Sequence, residues 1–283
     1  MQTPPNNQST AQTVRVRLPL ARPRWTYIFL IINVILFVAM LLVGLLQSNS
    51  VQTVFQQLGR GLQGDSNLLI VFGANYAPLV SGGQYWRLLT ANFLHVGIVH
   101  LLFNSYALYA LGLQTEAIYG PRRFVTLYLL SGIAGATFSY LFTHGLSAGA
   151  STSLFGLFAA QVVFLYRQRK LLGKVGQQQL IQLGVTLAAN IYLGLSPGSR
   201  IDNWGHAGGF VGGVILAWFV CPQYERTNPF VQAFEPVIRS ERKPELSNDE
   251  ITDTNTLARQ SFVVSVFVAG LIALVALGTL MPR

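Results

Sequence analysis

The sequence has 283 residues, of which 51% are hydrophobic and only 10% are charged. Its mean hydropathy of +0.44 is too high, and its charge too sparse, for a soluble domain of this size. The formal net charge of +9 does not indicate a nucleic-acid-binding protein, because the basic residues lie between apolar runs without a basic-aromatic motif. The composition therefore predicts an integral membrane protein that contacts the lipid bilayer and has no nucleic-acid partner.

Seven apolar runs approach the length of about twenty residues that a helix needs to cross a bilayer. In chain order they are residues 25–46, 97–119, 124–143, 150–166, 180–195, 204–221 and 261–281. The second run ends at Gly120-Pro121, which is a strong helix stop. The runs predict an all-α, polytopic fold with seven membrane-spanning helices. A polar tail of residues 1–24 precedes the first of them.

The basic residues between these runs predict the orientation of the chain. If the N-terminus is cytoplasmic, only Arg60, Arg87, Arg200 and Arg283 of the 19 Lys and Arg residues fall on the external side. Cytoplasmic segments of membrane proteins carry the excess of Lys and Arg. We therefore expect a multi-pass protein with a cytoplasmic N-terminus. Residues 47–96 then form an external loop in the membrane interface, and residues 222–260 form a flexible cytoplasmic linker.

Ser151 and His206 lie one and two residues inside the fourth and sixth runs, which both start at the external side. In the sixth run, Gly205, Gly209 and Gly213 recur every four residues, and this spacing lets two helices pack closely in lipid. Close packing would bring the hydroxyl within hydrogen-bond reach of the imidazole, which is the minimum arrangement for activating a nucleophile. The alternative is that this serine only packs, as serines in small-residue runs usually do.

Donors for an oxyanion are present near Ser151. The first turn of its helix has free backbone N–H groups and a dipole that favours negative charge. His100 and Asn104 are four residues apart in the second run and face the same side. Phe155 follows Ser151 by one turn, so that its ring either supports the imidazole of His206 or packs in the core.

No carboxylate lies deep in the fourth or sixth run. Asp202 precedes His206 by one turn and either orients the imidazole or caps the helix, and a cap is the commoner role at such a position. Glu116 lies near the inner end of the second run and, as an intramembrane carboxylate, is a functional candidate by default. Because Arg122 and Arg123 are nearby, we expect a structural ion pair instead.

Metal sites are not expected from this sequence. His95 and His100 are five residues apart and would diverge by about 140° on a helix, so they do not form a zinc-binding pair. Cys221 is the only cysteine, which rules out a cysteine-based zinc site and an internal disulfide. We expect no metal and no cofactor.

Four motifs follow one another in the sequence. They are Trp86-Arg87, His95-x4-His100-x3-Asn104, Gly149-Ala150-Ser151 and Asn203-Trp204-Gly205-His206-Ala207-Gly208-Gly209. Together they resemble the successive signatures of the rhomboid intramembrane serine proteases. The resemblance covers roughly residues 25–221 and implies a six-helix rhomboid catalytic domain that includes the loop 47–96. The helix at residues 261–281 would make the arrangement six plus one (6+1).

The resemblance implies a role for each matching residue. Ser151 would be the nucleophile and His206 the general base and acid of a Ser-His dyad, with His100, Asn104 and Gly149 at the oxyanion hole. Supporting positions would be Phe155, His95, Trp86 and Arg87. One residue departs from the family's G-x-S-G pattern, because Thr152 stands where the second glycine is expected. We expect it to narrow the site, to add a hydroxyl, and to modulate activity rather than remove it.

The implied activity is that of a serine endopeptidase that cleaves single-pass or other transmembrane proteins near the external face of the plasma membrane, without a cofactor. The alternative within the family is a catalytically inactive, rhomboid-like protein that binds membrane clients. Such a protein would be expected to lack Ser151 or His206. A transporter or channel is a third class, but the sequence has no charges near mid-membrane and no paired interrupted helices.

Overall fold

The computed structural model describes residues 20–48, 66–143, 145–226, 251–253, 255 and 257–280. Most of the predicted tail and of the predicted linker lies outside these residues. The helices are α1 (Trp25–Ser48), α2 (Ser66–Phe72), α3 (Ala77–Ser81), α4 (Arg87–Thr90), α5 (Ile98–Ala107), α6 (Leu113–Tyr119), α7 (Pro121–Phe142), α8 (Ser151–Arg167), α9 (Arg169–Leu195), α10 (Asn203–Val220) and α11 (Leu257–Leu280).

Each of the seven predicted runs contains a long helix or, for the second run, two helices in series. A π-helical turn, Leu108–Gly112, joins α5 to α6. By length and composition, three of the described helices are able to cross a membrane: Trp25–Gln47, Pro121–Phe142 and Arg259–Leu280. A fourth span is possible at Ile98–Tyr119, if this segment forms one span with the preceding Arg87–Phe93. The two segments are bent by 91° relative to each other. The chain is thus an all-α polytopic membrane protein. The count of six plus one crossing helices stays a prediction.

The three helices α7, α8 and α10 form the centre of the bundle. In the most apolar 18-residue stretch of α7, 61% of the residues are buried inside the protein, whereas the corresponding shares are 28% in α1 and 17% in α11. Helices enclosed by protein need fewer apolar residues than helices that face lipid, which explains why α8 and α10 carry glycines, serines and a histidine. The site described below lies at one end of these central helices.

Aromatic packing fixes α1 against the centre. Phe29 of α1 stacks on Tyr128 of α7 with ring centroids 4.3 Å apart and an interplanar angle of 16°. The rings of Phe93 and Phe124 each lie 6.0 Å from Phe29. Such aromatic pairs contribute more stability than the apolar area that they bury would give. This cluster therefore holds α1, α7 and the external loop of residues 47–96, here called the first loop, together.

In the described part of the chain, two short antiparallel strand pairs accompany the helices. β1 (Asn75–Tyr76) pairs with β2 (Leu146–Ser147), so that Asn75 faces Ser147 and Tyr76 faces Leu146. This pair joins the first loop to the segment that leads into α8. β3 (Tyr224–Arg226) pairs with β4 (Ile251–Asp253), which brings together the two described ends of the predicted linker.

The fifth predicted run lies in α9, and the start of this helix differs from the predicted one. It begins at Arg169, well before the predicted start at residue 180, and its chain breaks from helical geometry at Gly173, where φ is 53°. Hydropathy marks only the apolar part of a helix, whereas the Lys and Gln residues that precede it here are themselves good helix formers. Helical turns therefore precede the apolar part, and the break at Gly173 separates the first of them from the rest of α9.

The ion pair predicted for Glu116 is wrong. Its carboxylate instead accepts hydrogen bonds from the backbone N–H groups of Arg24, Trp25 and Thr26, at 2.8 to 2.9 Å, and from the hydroxyl of Thr26 at 2.8 Å. Four donors satisfy a fully buried carboxylate, and the N-terminal end of α1 favours its negative charge. Glu116 therefore fixes the start of α1 against α6.

Candidate active site

The hydroxyl of Ser151 lies 2.8 Å from Nε2 of His206. Ser151 is the first residue of α8, and His206 lies in the first turn of α10. In the tautomer with its proton on Nδ1, the imidazole accepts a hydrogen bond from the serine hydroxyl through Nε2. The two residues meet as the glycine spacing of the sixth run predicts.

Glycines allow α8 and α10 to come this close. A Cβ on Gly213 would lie 2.6 Å from both Cα and O of Gly156, and a Cβ on Gly209 would lie 2.9 Å from the carbonyl carbon of Thr152. Real Cβ atoms do not approach other atoms so closely, so these helices pack backbone to backbone. Gly209 follows His206 by one turn, and this contact therefore sets the depth and rotation of the imidazole.

Gly149 shapes the entry into α8. Its φ of +144° lies in a region that favours glycine, and its N–H donates to the carbonyl of Ala91 at 2.9 Å. A Cβ at this position would lie 2.6 Å from Cε1 of His100 and 3.7 Å from the hydroxyl oxygen of Ser151. The imidazole of His100 and the serine hydroxyl thus lie close to the same glycine.

Asn104 lies one turn beyond His100 on α5 and is 4% exposed. Its side-chain amide donates to the carbonyl of His100 at 3.0 Å. The same NH2 group carries a second N–H. The structure therefore brings Ser151, His206, His100 and Gly149 together, and it places the amide of Asn104 on the adjacent turn of α5.

The rings of His206 and His100 each have one aromatic neighbour in contact with them. Phe155 stacks on His206 with ring centroids 4.2 Å apart and an interplanar angle of 20°. His95 is buried, and its ring lies 5.3 Å from that of His100. The predicted divergence of His95 and His100 is wrong, because His95 precedes the start of α5 at Ile98 and does not follow its helical rotation.

Trp86 and Arg87 do not join this cluster. Arg87 is 5% exposed and donates to the carbonyls of Ile70 and Ala74 at 2.7 and 3.1 Å and to the side chain of Gln84 at 2.7 Å. Its guanidinium lies 4.6 Å from the centre of the Trp86 ring. Both residues organise the first loop.

Asp202 caps α10, which agrees with the commoner role expected for it. Its carboxylate accepts a hydrogen bond from the N–H of Gly205 at 2.8 Å. It also accepts from the hydroxyls of Ser147 at 2.6 Å and Thr143 at 3.2 Å. Asp202 therefore connects the start of α10 with the end of α7 and with β2, beside the turn that carries His206.

The interpretation of the sequence does not include one contact beside Ser151. The hydroxyl of Thr152 donates to Oδ1 of Asn92 at 2.5 Å. Thr152 stands out in the sequence as a departure from a pattern, but its partner is 60 residues away. The available signal is an amide side chain in the mostly apolar stretch from Leu88 to Leu94, where a polar group is costly without a partner.

The fold is that of a polytopic helical membrane protein. At the ends of two of its central helices, α8 and α10, the hydroxyl of Ser151 lies within hydrogen-bond distance of the imidazole of His206. A family model described as the rhomboid domain matches residues 82–223, which is half of the chain. The chain belongs to the rhomboid family.

Several curated proteins of this family are similar to the chain. Rhomboid protease GluP of Bacillus subtilis (strain 168) is 35% identical over 196 residues, which cover 69% of this chain and 34% of that protein. Rhomboid-like protease 3 of Toxoplasma gondii is 34% identical over 59% of this chain and 64% of its own length. RHOMBOID-like protein 1 of Arabidopsis thaliana is 32% identical over 75% of this chain and 58% of its length. The chain thus spans less than two thirds of the length of these relatives.

Proposed function

We propose that this protein is an intramembrane serine endopeptidase that hydrolyses peptide bonds in or near the transmembrane segments of other membrane proteins. The observation that carries the proposal is the 2.8 Å distance between the Ser151 hydroxyl and Nε2 of His206. A nucleophile within hydrogen-bond reach of a base is the arrangement that acyl transfer requires. Membership of the rhomboid family, whose relatives include named proteases, supports the same reaction.

In the proposed mechanism, the oxygen of Ser151 attacks the carbonyl carbon of the scissile bond while Nε2 of His206 takes its proton. The tetrahedral intermediate then breaks its carbon–nitrogen bond, and the imidazolium gives that proton to the leaving amine. Water hydrolyses the acyl-enzyme in the same way, with His206 again taking and returning a proton. The stacked ring of Phe155 keeps the imidazole in place.

The oxyanion of the intermediate needs donors on the other side of the serine. The backbone N–H of Ser151 is free because it belongs to the first turn of α8. The imidazole of His100, beside Gly149, and the second amide N–H of Asn104 are the proposed side-chain donors. His95 packs against His100 and keeps its ring in position. None of these steps uses a metal or a cofactor.

The proposed catalytic domain is residues 25–221, with the helix at residues 261–281 added to it. The distribution of basic residues supports a cytoplasmic N-terminus and a site that opens to the external side. The location proposed with this orientation is the plasma membrane. Substrates would be single-pass or other transmembrane proteins. Segments with helix-breaking residues would be favoured, because a stable helix in lipid keeps its carbonyl groups hydrogen-bonded and out of reach.

The test is cleavage of a panel of single-pass proteins by the purified protein in liposomes. Ser151→Ala and His206→Ala should each lower the rate on the order of 10⁶-fold. Ser153→Ala is the matched control and should cleave like the unaltered protein. It removes a buried hydroxyl, two residues further along α8, that has no hydrogen-bond partner among the residues the structure describes. A fluorophosphonate should label Ser151, and labelling should fall in His206→Ala.

Two results would contradict this mechanism. Cleavage that persists in both Ser151→Ala and His206→Ala would assign the reaction to other groups. Tight binding of the panel proteins without cleavage or fluorophosphonate labelling would instead indicate an inactive, client-binding member of the family.

A further inference from the structure

The segment that carries Ser151 is bonded to the first loop on both sides of the serine. On one side, the N–H of Gly149 donates to the carbonyl of Ala91 at 2.9 Å. On the other side, the hydroxyl of Thr152 donates to Oδ1 of Asn92 at 2.5 Å. Both acceptors belong to consecutive residues of one short 3₁₀ turn. The nucleophile therefore lies between two contacts to the same point of the loop.

The amide of Asn92 has one possible orientation. Its NH2 group donates to the carbonyls of Leu88 at 2.8 Å and Leu89 at 3.1 Å. A flipped amide would direct its oxygen at these carbonyls and lose both hydrogen bonds. Its oxygen is thus fixed toward Thr152, and because Asn92 is only 3% exposed, water is a poor substitute for the threonine hydroxyl.

The side chain of Thr152 also has little freedom to move. It is 5% exposed, and it packs between α7 and α10. A Cβ on Gly135 would lie 2.6 Å from Cβ of Thr152, and a Cβ on Gly205 would lie 3.1 Å from its methyl group. Both arms of this branched side chain are therefore used, with the methyl packed between two helices and the hydroxyl bonded to the loop.

We propose that Thr152 is a positioning residue for Ser151, and that Asn92 is its partner. By binding Asn92, the hydroxyl holds the first turn of α8 at the depth and rotation at which Ser151 meets His206 and the oxyanion donors. The inference rests on the proposed function, because it concerns the same nucleophile. A glycine at residue 152, as in the G-x-S-G pattern, would have neither the methyl nor the hydroxyl, so this chain uses a pair of polar side chains for the task.

Loss of the hydroxyl should act on the chemical step more than on substrate binding. A buried amide oxygen without a donor is unfavourable, and the loop and α8 would shift to relieve it. Small displacements of a reacting atom cost up to about 100-fold in rate. Thr152→Val keeps the shape and removes the hydroxyl, so we expect kcat and the rate of fluorophosphonate labelling to fall by about 10- to 100-fold, with KM nearly unchanged.

The experiment compares four variants and a control in liposomes with one cleaved substrate. Thr152→Val and Asn92→Ala should each lower kcat, and the double variant should be no slower than the slower single variant, because both remove one interaction. Thr152→Ser keeps the hydroxyl and should retain most of the rate. Thr137→Val is the control, since the hydroxyl of this buried threonine donates within its own helix α7, to the carbonyl of Ile133 at 2.8 Å, and the variant should keep its kcat.

A purely structural role predicts a different pattern. Thr152→Val would then lower the thermal midpoint as Thr137→Val does, while kcat and the labelling rate stay those of the unaltered protein, and this result would overturn the proposal. Independent, multiplying effects of Thr152→Val and Asn92→Ala would overturn the pairing. Both outcomes require an unaltered protein that cleaves and is labelled at Ser151. An unaltered protein that does neither would overturn the proposed function, and the positioning role with it.

Discussion

The ring of Phe155 lies nearly parallel to the imidazole of His206, with 4.2 Å between their centroids. Phe155 is on the same helix as Ser151 and one turn further along, so α8 supplies both the hydroxyl and the surface on which the imidazole rests. Helix spacing alone therefore relates the nucleophile to the support of its base. Any change that tilts α8 alters both contacts with His206 at once.

Replacing the Phe155 ring should slow catalysis. Aromatic pairs contribute about 0.5–1.5 kcal/mol beyond area burial, so Phe155→Leu is expected to lower kcat by roughly 3- to 10-fold. Phe155→Tyr retains the ring and should stay near the unaltered rate. The control is Phe158→Leu, which removes a ring paired with Phe210 on α10 at 6.3 Å, away from the imidazole. Equal kcat values for Phe155→Leu and Phe158→Leu would contradict the supporting role.

Enlarging Gly209 should separate α8 from α10. A Cβ there would lie 2.9 Å from the carbonyl carbon of Thr152, and overpacking of this kind costs about 1–3 kcal/mol. Gly209→Ala is expected to lower the thermal midpoint in detergent and to reduce fluorophosphonate labelling of Ser151, because His206 moves with α10. Gly270→Ala on α11 meets open space and should change neither measurement. Full labelling in Gly209→Ala would show that the helices adjust without moving the imidazole.

The meeting of Ser151 and His206 is predictable because two simple patterns specify it. Apolar run lengths place both residues at the same end of their helices, and small residues every four positions predict which helix faces pack. The role of Asp202 as a cap follows from its place before α10. These are local or periodic signals, and they need no knowledge of how the remaining helices are rotated.

The partners of Glu116 and Thr152 are not predictable in this way. The N–H groups that bind Glu116 are about 90 residues earlier in the chain, and Asn92 is 60 residues before Thr152. Sequence periodicity describes one helix at a time, so it does not determine which turn of another element a polar side chain will meet. The nearby Arg122 and Arg123 suggest an ion pair, whereas the four donors that bind Glu116 come from the start of α1.

Glu116 should contribute strongly to stability. Glu116→Gln keeps the size of the side chain but directs an NH2 group at backbone donors, which leaves at least one buried N–H without a partner. The expected loss is about 1–3 kcal/mol of unfolding free energy, measured as a lower thermal midpoint. Gln114→Ala on the same helix alters an exposed side chain and serves as the control. Equal midpoints for Glu116→Gln and the unaltered protein would show that these hydrogen bonds are weak.

Asn255 should hold α11 to the end of α10 without affecting catalysis. Its side-chain amide donates to the carbonyls of Phe219 at 2.7 Å and Cys221 at 2.9 Å, which satisfies acceptors that a helix end otherwise leaves free. Asn255→Ala is expected to cost about 1–3 kcal/mol and to lower the thermal midpoint. Its kcat should be unchanged, because these carbonyls lie roughly 20 Å along α10 from His206. Asn190→Ala, which removes an exposed amide bonded within α9, is the control. A fall in kcat for Asn255→Ala alone would mean that the position of α11 is coupled to the site at the far end of α10.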